Sequence, residues 1–167
     1  MELKTQEGKY LTFSLAGEEY GLDILKVREI IGILPITKLP EAPPFLKGVV
    51  NLRGQLVPVI DLRLRFGLSE AGYSERTCII VVEHVSEAGK KAIGLVVDSV
   101  SEVVNVKTTE IEEPPDLGSQ AEMGLIFGIA HVGEELIILL DVGRIVGKAV
   151  LEEARPAKET LTEAEKR

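Results

Sequence analysis

The sequence has few of the residues that most enzyme active sites and metal centres need. Its 167 residues include one cysteine (Cys78), two histidines (His84 and His131) and no tryptophan. A single cysteine excludes a disulfide framework, and zinc-binding spacings such as C-x2-C and H-E-x-x-H are absent. Cys78 begins the apolar run 78–82, so we predict a buried thiol in a reducing compartment.

Recognisable catalytic patterns are also missing. Neither the phosphate loop G-x-x-x-x-G-K-[ST] nor a G-x-G-x-x-G following a strand occurs. Adjacent acids such as Glu134 and Glu135 lie in predicted turns, where carboxylates point apart into solvent. A hydrolase would have to bring Asp61 or Glu29 within hydrogen-bonding distance of His131. We therefore predict that the protein is not an enzyme and uses no cofactor.

The sequence has no excess of positive charge. The formal net charge is -8 and the isoelectric point is about 4.9, and such a surface repels nucleic acid. The one basic group, Arg53, Arg63 and Arg65, has no accompanying aromatic stripe. A nucleic-acid-binding barrel therefore ranks well below a protein-binding module. The acidic stretch 107–122 is interpreted as a solvated linking loop.

No apolar run approaches the ~20 residues that a membrane-spanning helix needs. The first eight residues contain no hydrophobic signal core, which argues against export. The sequence therefore predicts a cytoplasmic protein without direct membrane insertion.

Two pairs of stretches repeat each other without gaps. Residues 48–67 align with 128–147 at a shift of 80, and residues 21–29 align with 94–102 at a shift of 73. The shared order indicates a duplicated β unit, and two like units packed together leave a groove for a partner. The identical pairs are Gly48/Gly128, Leu56/Leu136, Asp61/Asp141 and Gly67/Gly147, then Gly21/Gly94, Leu22/Leu95, Val27/Val100 and Glu29/Glu102.

Alternating apolar residues predict short strands separated by turns. Asp61 and Asp141 are placed to cap a helix over 62–66 and a closing helix from 142 to about 154. Roughly ten strands in two sets of five predict two small barrels. The hairpins are expected over 10–24, 49–60, 78–97 and 124–140, with further strands over 28–33 and 98–104.

Several motifs carry a family resemblance. The run 44–54, PFLKGVVNLRG, precedes VPVIDLR at 57–63, and residues 18–30 and 98–103 match as well. Together they resemble the CheW family of bacterial chemotaxis coupling proteins. The similarity spans about residues 9–148, nearly the whole chain.

The resemblance implies a mainly β fold of two five-stranded SH3-like β-barrel subdomains packed together, with short helices and a C-terminal helix. The expected subdomains are interleaved or adjacent and cover approximately 24–76 and 77–148, with the N-terminal strands contributing. Residues 149–167 are expected to form the end of the helix and a flexible tail.

The resemblance also implies a non-enzymatic adaptor. Such a protein joins the cytoplasmic tips of chemoreceptors to the regulatory domain of the histidine kinase CheA, within membrane-associated receptor arrays. The lack of any further domain favours a stand-alone coupler. An alternative is a CheW-like scaffold of a receptor–kinase pathway with an output other than motility.

Site residues follow from the same resemblance. In the family, a groove between the barrels receives the receptor's helical hairpin, and kinase contacts fall mainly on the second barrel, where no individual residue is assigned. Asn51, Leu52 and Gly54 complete the motif that presents Arg53, whose planar donor fork is suited to a partner's carboxylate. The positions matched to receptor coupling are Val27, Glu29, Gly48, Arg53 and Val103.

Overall fold

The chain folds into short hairpins because apolar residues alternate along it and turn residues separate the runs. The computed structural model describes residues 7–87, 89–114 and 124–147. Two short helices, α1 (Leu62–Arg65) and α2 (Val142–Val146), follow hairpins, and single 3₁₀ turns occupy Ile24–Lys26 and Thr108–Glu110. The strands are β1 (Gly8–Leu15), β2 (Glu18–Asp23), β3 (Val27–Gly32), β4 (Leu46–Leu52), β5 (Gln55–Asp61), β6 (Cys78–Ser86), β7 (Gly89–Val97), β8 (Ser99–Val106), β9 (Ile111–Glu112), β10 (Ile126–Val132) and β11 (Glu135–Leu140).

The strands form two sheets, and each sheet combines both sequence repeats. Sheet A has the order β8-β1-β2-β11-β10-β9, and sheet B has the order β3-β6-β7-β5-β4. The first hairpin of repeat one, β1–β2, pairs with β8 and β11 of repeat two. The first hairpin of repeat two, β6–β7, pairs with β3 and β5 of repeat one. The repeats have therefore exchanged their first hairpins.

The exchange interleaves the two sheets along the chain, so neither sheet coincides with the approximate boundary between residues 76 and 77. That boundary assigns β6 and β7 to the subdomain of β8–β11, but both strands pair within sheet B. A repeated sequence gives the order of the strands and does not say which copy each strand pairs with. The mainly β fold with two packed SH3-like subdomains is confirmed. Sheet A has a sixth strand, the two-residue β9.

The core divides into three clusters because the central strands are buried on both faces. Along β6, Ile79 and Val81 point into a cluster inside sheet B, whereas Ile80 and Val82 join a cluster shared by both sheets. In sheet A, Phe13 belongs to the shared cluster. The opposite face of sheet A packs around a third cluster. In the shared cluster one sheet packs against the other, so their seam is a continuous apolar contact.

Strands β4 and β10 each have a bulge near their start. Beside each bulge a further segment pairs with the strand, and we call these the closing segments: the segment at Thr37 in sheet B and β9 in sheet A. In sheet B, Thr37 N donates to Val49 O and Val49 N donates to Thr37 O, both at 2.8 Å. In sheet A, β9 pairs with β10 in the equivalent place, Glu112 opposite Ile129. The expectation of a loop throughout 107–122 is therefore wrong, because Thr108–Glu110 and β9 are ordered elements and Ile111 is buried.

The predicted helix caps are confirmed. Leu64 N donates to Asp61 Oδ1 at 3.3 Å, and Arg144 N donates to Asp141 Oδ1 at 3.2 Å. Helix α2 ends at Val146, followed by Gly147 with a φ of 67°. The predicted continuation to about residue 154 and the tail lie outside the described residues. No helix in the described ranges is long and apolar enough to cross a bilayer.

Candidate functional site

The structure brings two of the predicted receptor-coupling residues into direct contact. Arg53 lies in the β4–β5 turn, and its guanidinium Nη2 donates to the carboxylate Oε2 of Glu29 on β3. Strands β3 and β4 are the two edges of sheet B, so this ion pair joins the edges that the barrel brings together. The Arg53 side chain is 68% exposed and that of Glu29 is 30% exposed. The donor fork thus contacts the chain's own carboxylate and still faces solvent.

The β4–β5 turn holds Arg53 in an uncommon backbone conformation. Its φ is 52° and that of Gly54 is 88°, as a type I′ hairpin turn requires at its two central residues. Gly54 N donates to Asn51 Oδ1 at 2.8 Å, which closes the turn. Leu52 packs against the cluster inside sheet B and anchors the strand. Asn51, Leu52 and Gly54 therefore hold the turn that carries Arg53.

Gly48 has a structural position in the bulge of β4. Its φ is 145°, and a Cβ atom added there would lie 2.0 Å from the carbonyl oxygen of Thr37. Gly48 is buried, so a side chain at this position would displace the closing segment before it reached any partner. The geometry places Gly48 underneath the site rather than on its surface.

Val27 and Val103 border the seam from opposite sides. Val27 begins β3, the edge of sheet B, and packs against the shared cluster. Val103 lies on β8, an outer strand of sheet A, and is 49% exposed. It is paired with Leu11, a member of the shared cluster, and directly paired residues share one face of a sheet. Both valines therefore edge the shared core.

One exposed apolar residue beside the seam was not predicted. Leu25, in the 3₁₀ turn that precedes Val27, is 85% exposed. Such a residue has no periodic signal in the sequence because it lies in a single turn between two strands. It extends the apolar border formed by Val27 at the edge of sheet B.

The sequence also did not predict that two arginines of α1, Arg63 and Arg65, make structural contacts. Arg63 binds Asp98 at the junction of β7 and β8, and Arg65 donates to backbone carbonyls of α2. Burial lowers the pKa of Arg65. The sequence signal was the Arg-x-Arg spacing after Asp61, which shows two cations and does not identify their partners.

The hydrolase arrangement is not assembled. His131 Nε2 lies 3.3 Å from Glu112 Oε2 in sheet A, whereas Glu29 binds Arg53 in sheet B. Asp61 is buried and caps α1, and its burial raises the pKa of its carboxyl group. Within the described ranges, no three His, Cys, Asp or Glu side chains cluster so as to hold a metal ion.

These features define a class of protein. Two SH3-like subdomains share one core, and the distinctive side chains lie at sheet edges and at a hairpin tip. Residues in such places are available to other macromolecules and do not line a substrate pocket. The fold and the site are those of a protein-binding scaffold.

Comparison with known proteins gives the family. The family model of the CheW-like domain matches residues 9–150. Chemotaxis protein CheW of Klebsiella aerogenes is 38% identical over 138 residues, which cover 83% of this chain and 81% of the relative. Chemotaxis protein CheW of Bacillus subtilis is 32% identical over 156 residues, covering 93% of this chain and 96% of the relative. The crystal structure of the scaffolding protein TtCheW from Thermoanaerobacter tengcongensis aligns with a TM-score of 0.75 at 38% identity, covering 87% of this chain and 96% of that one.

The chain belongs to the CheW family. Its role is that of a chemotaxis scaffold, as the resemblance in the sequence predicts.

Proposed function

We propose that this protein couples the cytoplasmic tips of chemoreceptors to the histidine kinase CheA, in the cytoplasm at membrane-associated receptor arrays. The observation that carries the proposal is the exposure of apolar side chains at the edges of both sheets. Leu25 and Val27 line the edge of sheet B, and Val103 lines the edge of sheet A. The receptor-binding role of these residues is part of the proposal.

An amphipathic helix is the occupant that this seam suits. Helix-in-groove recognition uses apolar anchors one turn apart against a hydrophobic groove and needs few polar contacts. The Glu29–Arg53 pair lies at the rim of sheet B and offers both charges to polar residues of such a helix. Charges at a rim contribute more to orientation and specificity than to affinity.

Coupling further requires that the kinase bind elsewhere on the same chain. A ligand at one site changes affinity at a second site only when the two share states that each ligand binds unequally. The shared core gives the two sheets such a connection, because apolar residues of both sheets pack in it. The kinase-binding residues are not assigned.

Substitution of Leu25 tests receptor docking. Leu25→Glu places a charge on a side chain that is 85% exposed, so it leaves the core unchanged. We expect about a tenfold loss of affinity for a receptor signalling fragment, because an apolar anchor is lost from the groove. Co-sedimentation of the full chain with the fragment and with CheA measures each binding separately.

Val85→Glu is the matched control. Val85 is another exposed apolar residue, near the far end of the β6–β7 hairpin. This variant should bind the receptor fragment like the unmodified protein. If both variants bind the fragment normally, the seam is not the receptor site. If the unmodified protein sediments with neither partner, the coupling function itself is wrong.

A further inference from the structure

Within the described residues, short segments carry the chain from one sheet to the other at two places, between β2 and β3 and between β7 and β8. Asp98 lies in the passage from β7 to β8, and its carboxylate accepts three hydrogen bonds. Arg63 donates Nε to Oδ1 at 2.8 Å and Nη2 to Oδ2 at 2.7 Å. Ala16 N donates to Oδ2 at 2.9 Å, and Asp98 N donates to Ser14 O at 3.1 Å. Asp98 is thus held by side-chain and backbone contacts together.

These contacts come from both sheets. Arg63 belongs to α1, which follows β5 of sheet B, whereas Ala16 lies in the turn between β1 and β2 of sheet A. The two-pronged Arg–carboxylate geometry fixes direction as well as distance. Both side chains are partly buried. This passage, which we call the clamped crossover (residues 97–99), therefore ties one sheet to the other at a defined angle.

Helix α1 reinforces the same tie. Arg65 Nε donates to Ile145 O at 2.9 Å, and Arg65 Nη2 donates to Arg144 O at 3.2 Å. These carbonyls belong to the last residues of α2, where helix carbonyl groups lack partners within the helix. Helix α2 follows β11 of sheet A. Helix α1 thus contacts the crossover into sheet A through Arg63 and the helix that follows β11 of sheet A through Arg65.

The second passage, from β2 to β3, has a different construction. In this open crossover (residues 23–27), the bond that Asp23 Oδ1 accepts from the described part of the chain is local, from Leu25 N at 3.0 Å. Among the described residues, no ion pair links this segment to either sheet. At a shift of 80 residues, Gly143 of α2 occupies the place that Arg63 has in α1. The duplication therefore supplies the clamping arginine in one copy only.

We propose that Arg63 and Asp98 are positioning residues that fix the clamped crossover, so that relative movement of the two sheets takes place at the open crossover. The open crossover carries Leu25 and Val27, the residues of the proposed receptor site, so this inference rests on the proposed function. A helix docked there displaces sheet B relative to sheet A about the fixed point at Asp98. The kinase then senses receptor binding through the angle between the sheets.

The angle between the sheets can be measured directly. Spin labels at Val85 of sheet B and Leu136 of sheet A, both exposed, report the distance between the sheets in the free full chain. The labels are attached to Val85→Cys and Leu136→Cys in a Cys78→Ala background, since Cys78 is the single native cysteine. The unmodified clamp should give one narrow distance distribution.

Two clamp variants and one control are compared. Asp98→Asn keeps an oxygen acceptor for Ala16 N and loses the ionic partner of Arg63, and Arg63→Lys keeps the charge without the two-pronged fork. Glu70→Gln removes the Lys47–Glu70 ion pair, whose 2.8 Å contact joins β4 to a neighbouring loop and does not link the two sheets. We expect both clamp variants to broaden or displace the distance distribution and the control to leave it unchanged. An unchanged distribution in both clamp variants overturns the proposal.

The functional consequence is measured as receptor-dependent kinase activation at saturating adaptor. With Asp98→Asn we expect at least about a fivefold loss of activation. The affinity for the receptor fragment alone should stay within about twofold, since Leu25 and Val27 are unchanged. The charge-reversed double variant Arg63→Asp with Asp98→Arg should recover part of the activation.

Each other result contradicts a defined part of the proposal. A changed distance distribution with normal activation overturns the link from sheet angle to kinase. A loss of activation that simply follows a lowered melting temperature, with an unchanged distance distribution, assigns the pair a structural role only. Absence of activation by the unmodified protein overturns the proposed function, while the label distances still decide whether Arg63 and Asp98 set the sheet angle.

Discussion

The β4–β5 and β10–β11 hairpins are two copies of one unit, and they differ at the tip. Both have a bulge at their first glycine and a two-residue turn, with Asn51 opposite Leu56 and His131 opposite Leu136. The first residue of each turn has a positive φ, 52° for Arg53 in the first copy and 64° for Gly133 in the second. Glycine adopts this conformation without the steric cost that arginine incurs. The costly residue stands only where it reaches Glu29, so the scaffold is common to both copies and the function is local to one.

The largest difference between the copies is expected at the bulge glycines. Gly48→Ala would place Cβ 2.0 Å from Thr37 O, against backbone, whereas Gly128→Ala would place it 2.8 Å from the Cγ2 of Ile111, a side chain. We expect Gly48→Ala to lower the free energy of unfolding by about 4 kcal/mol or more. Gly128→Ala should cost about 1–3 kcal/mol.

Urea denaturation of the two variants checks this difference. Equal losses would show that the closing segment at Thr37 can move aside, which would remove the structural explanation for Gly48.

The helix caps should differ less. Asp61 is buried and Asp141 is only partly buried. Both side chains accept a hydrogen bond from the backbone N–H three residues later in the chain. Replacement by alanine removes that acceptor, and we expect a loss of about 1–2 kcal/mol for Asp61→Ala and about 1 kcal/mol or less for Asp141→Ala. Thermal unfolding of both variants measures the difference, and the reverse order would contradict the burial argument.

The two crossovers should respond differently to acid. The hydrogen bonds and charge of Arg63 hold the pKa of Asp98 below its usual range. Its contribution to stability is therefore fully present above the unfolded pKa of about 3.9 and is lost as pH falls through the lower folded pKa. Asp98→Asn should remove this part of the acid dependence, and the effect is modest because the pair is partly exposed.

Stability measured from pH 6 to pH 2 gives the comparison. Asp23→Asn at the open crossover serves as the control, since Asp23 has no cationic partner among the described residues. Identical acid profiles for the unmodified protein and Asp98→Asn would show that the clamp adds nothing to stability.

The smallest effect on stability is expected from Arg53→Gly, which puts glycine at the position that Gly133 has in the second copy. Glycine relieves the left-handed strain and loses an exposed ion pair, so the melting temperature should change by only a few degrees. Receptor-dependent kinase activation should nevertheless fall, because the Glu29–Arg53 pair is gone from the rim. Activation assays and calorimetry on the same preparation separate the two effects. Normal activation by Arg53→Gly would remove Arg53 from the proposed site.

Local features could be predicted from the sequence. Period-two alternation gave the hairpins, Asp61 and Asp141 gave the helix caps, and the Arg53–Gly54 pair gave a tight turn. Each of these depends on residues a few positions apart. The presentation of Arg53 at a hairpin tip followed for the same reason.

The sequence left open whether the subdomains are interleaved or adjacent, and it did not predict the Glu29–Arg53 and Arg63–Asp98 ion pairs. Glu29 and Arg53 are 24 positions apart, and Arg63 and Asp98 are 35 apart. Which copy a strand pairs with is decided by burial of the shared cluster, and both pairings satisfy the same alternation. The sequence predicts that the Arg53 guanidinium binds a partner's carboxylate. Its contact with Glu29 arises because the barrel brings the β3 and β4 edges of sheet B together.

The exchange of hairpins has a consequence for how the protein is made. Thr12 of β1 is bonded to Glu102 of β8, a partner 90 positions later in the chain. At about 5–20 residues per second, a ribosome completes β1 and β2 several seconds before their neighbours in sheet A exist. Until then the apolar side chains of that first hairpin have no finished sheet to enter. Sheet B can assemble first, because all its strands precede β8. Its residues of the shared cluster then form an apolar surface against which the β1–β2 hairpin packs until β8, β10 and β11 are synthesised.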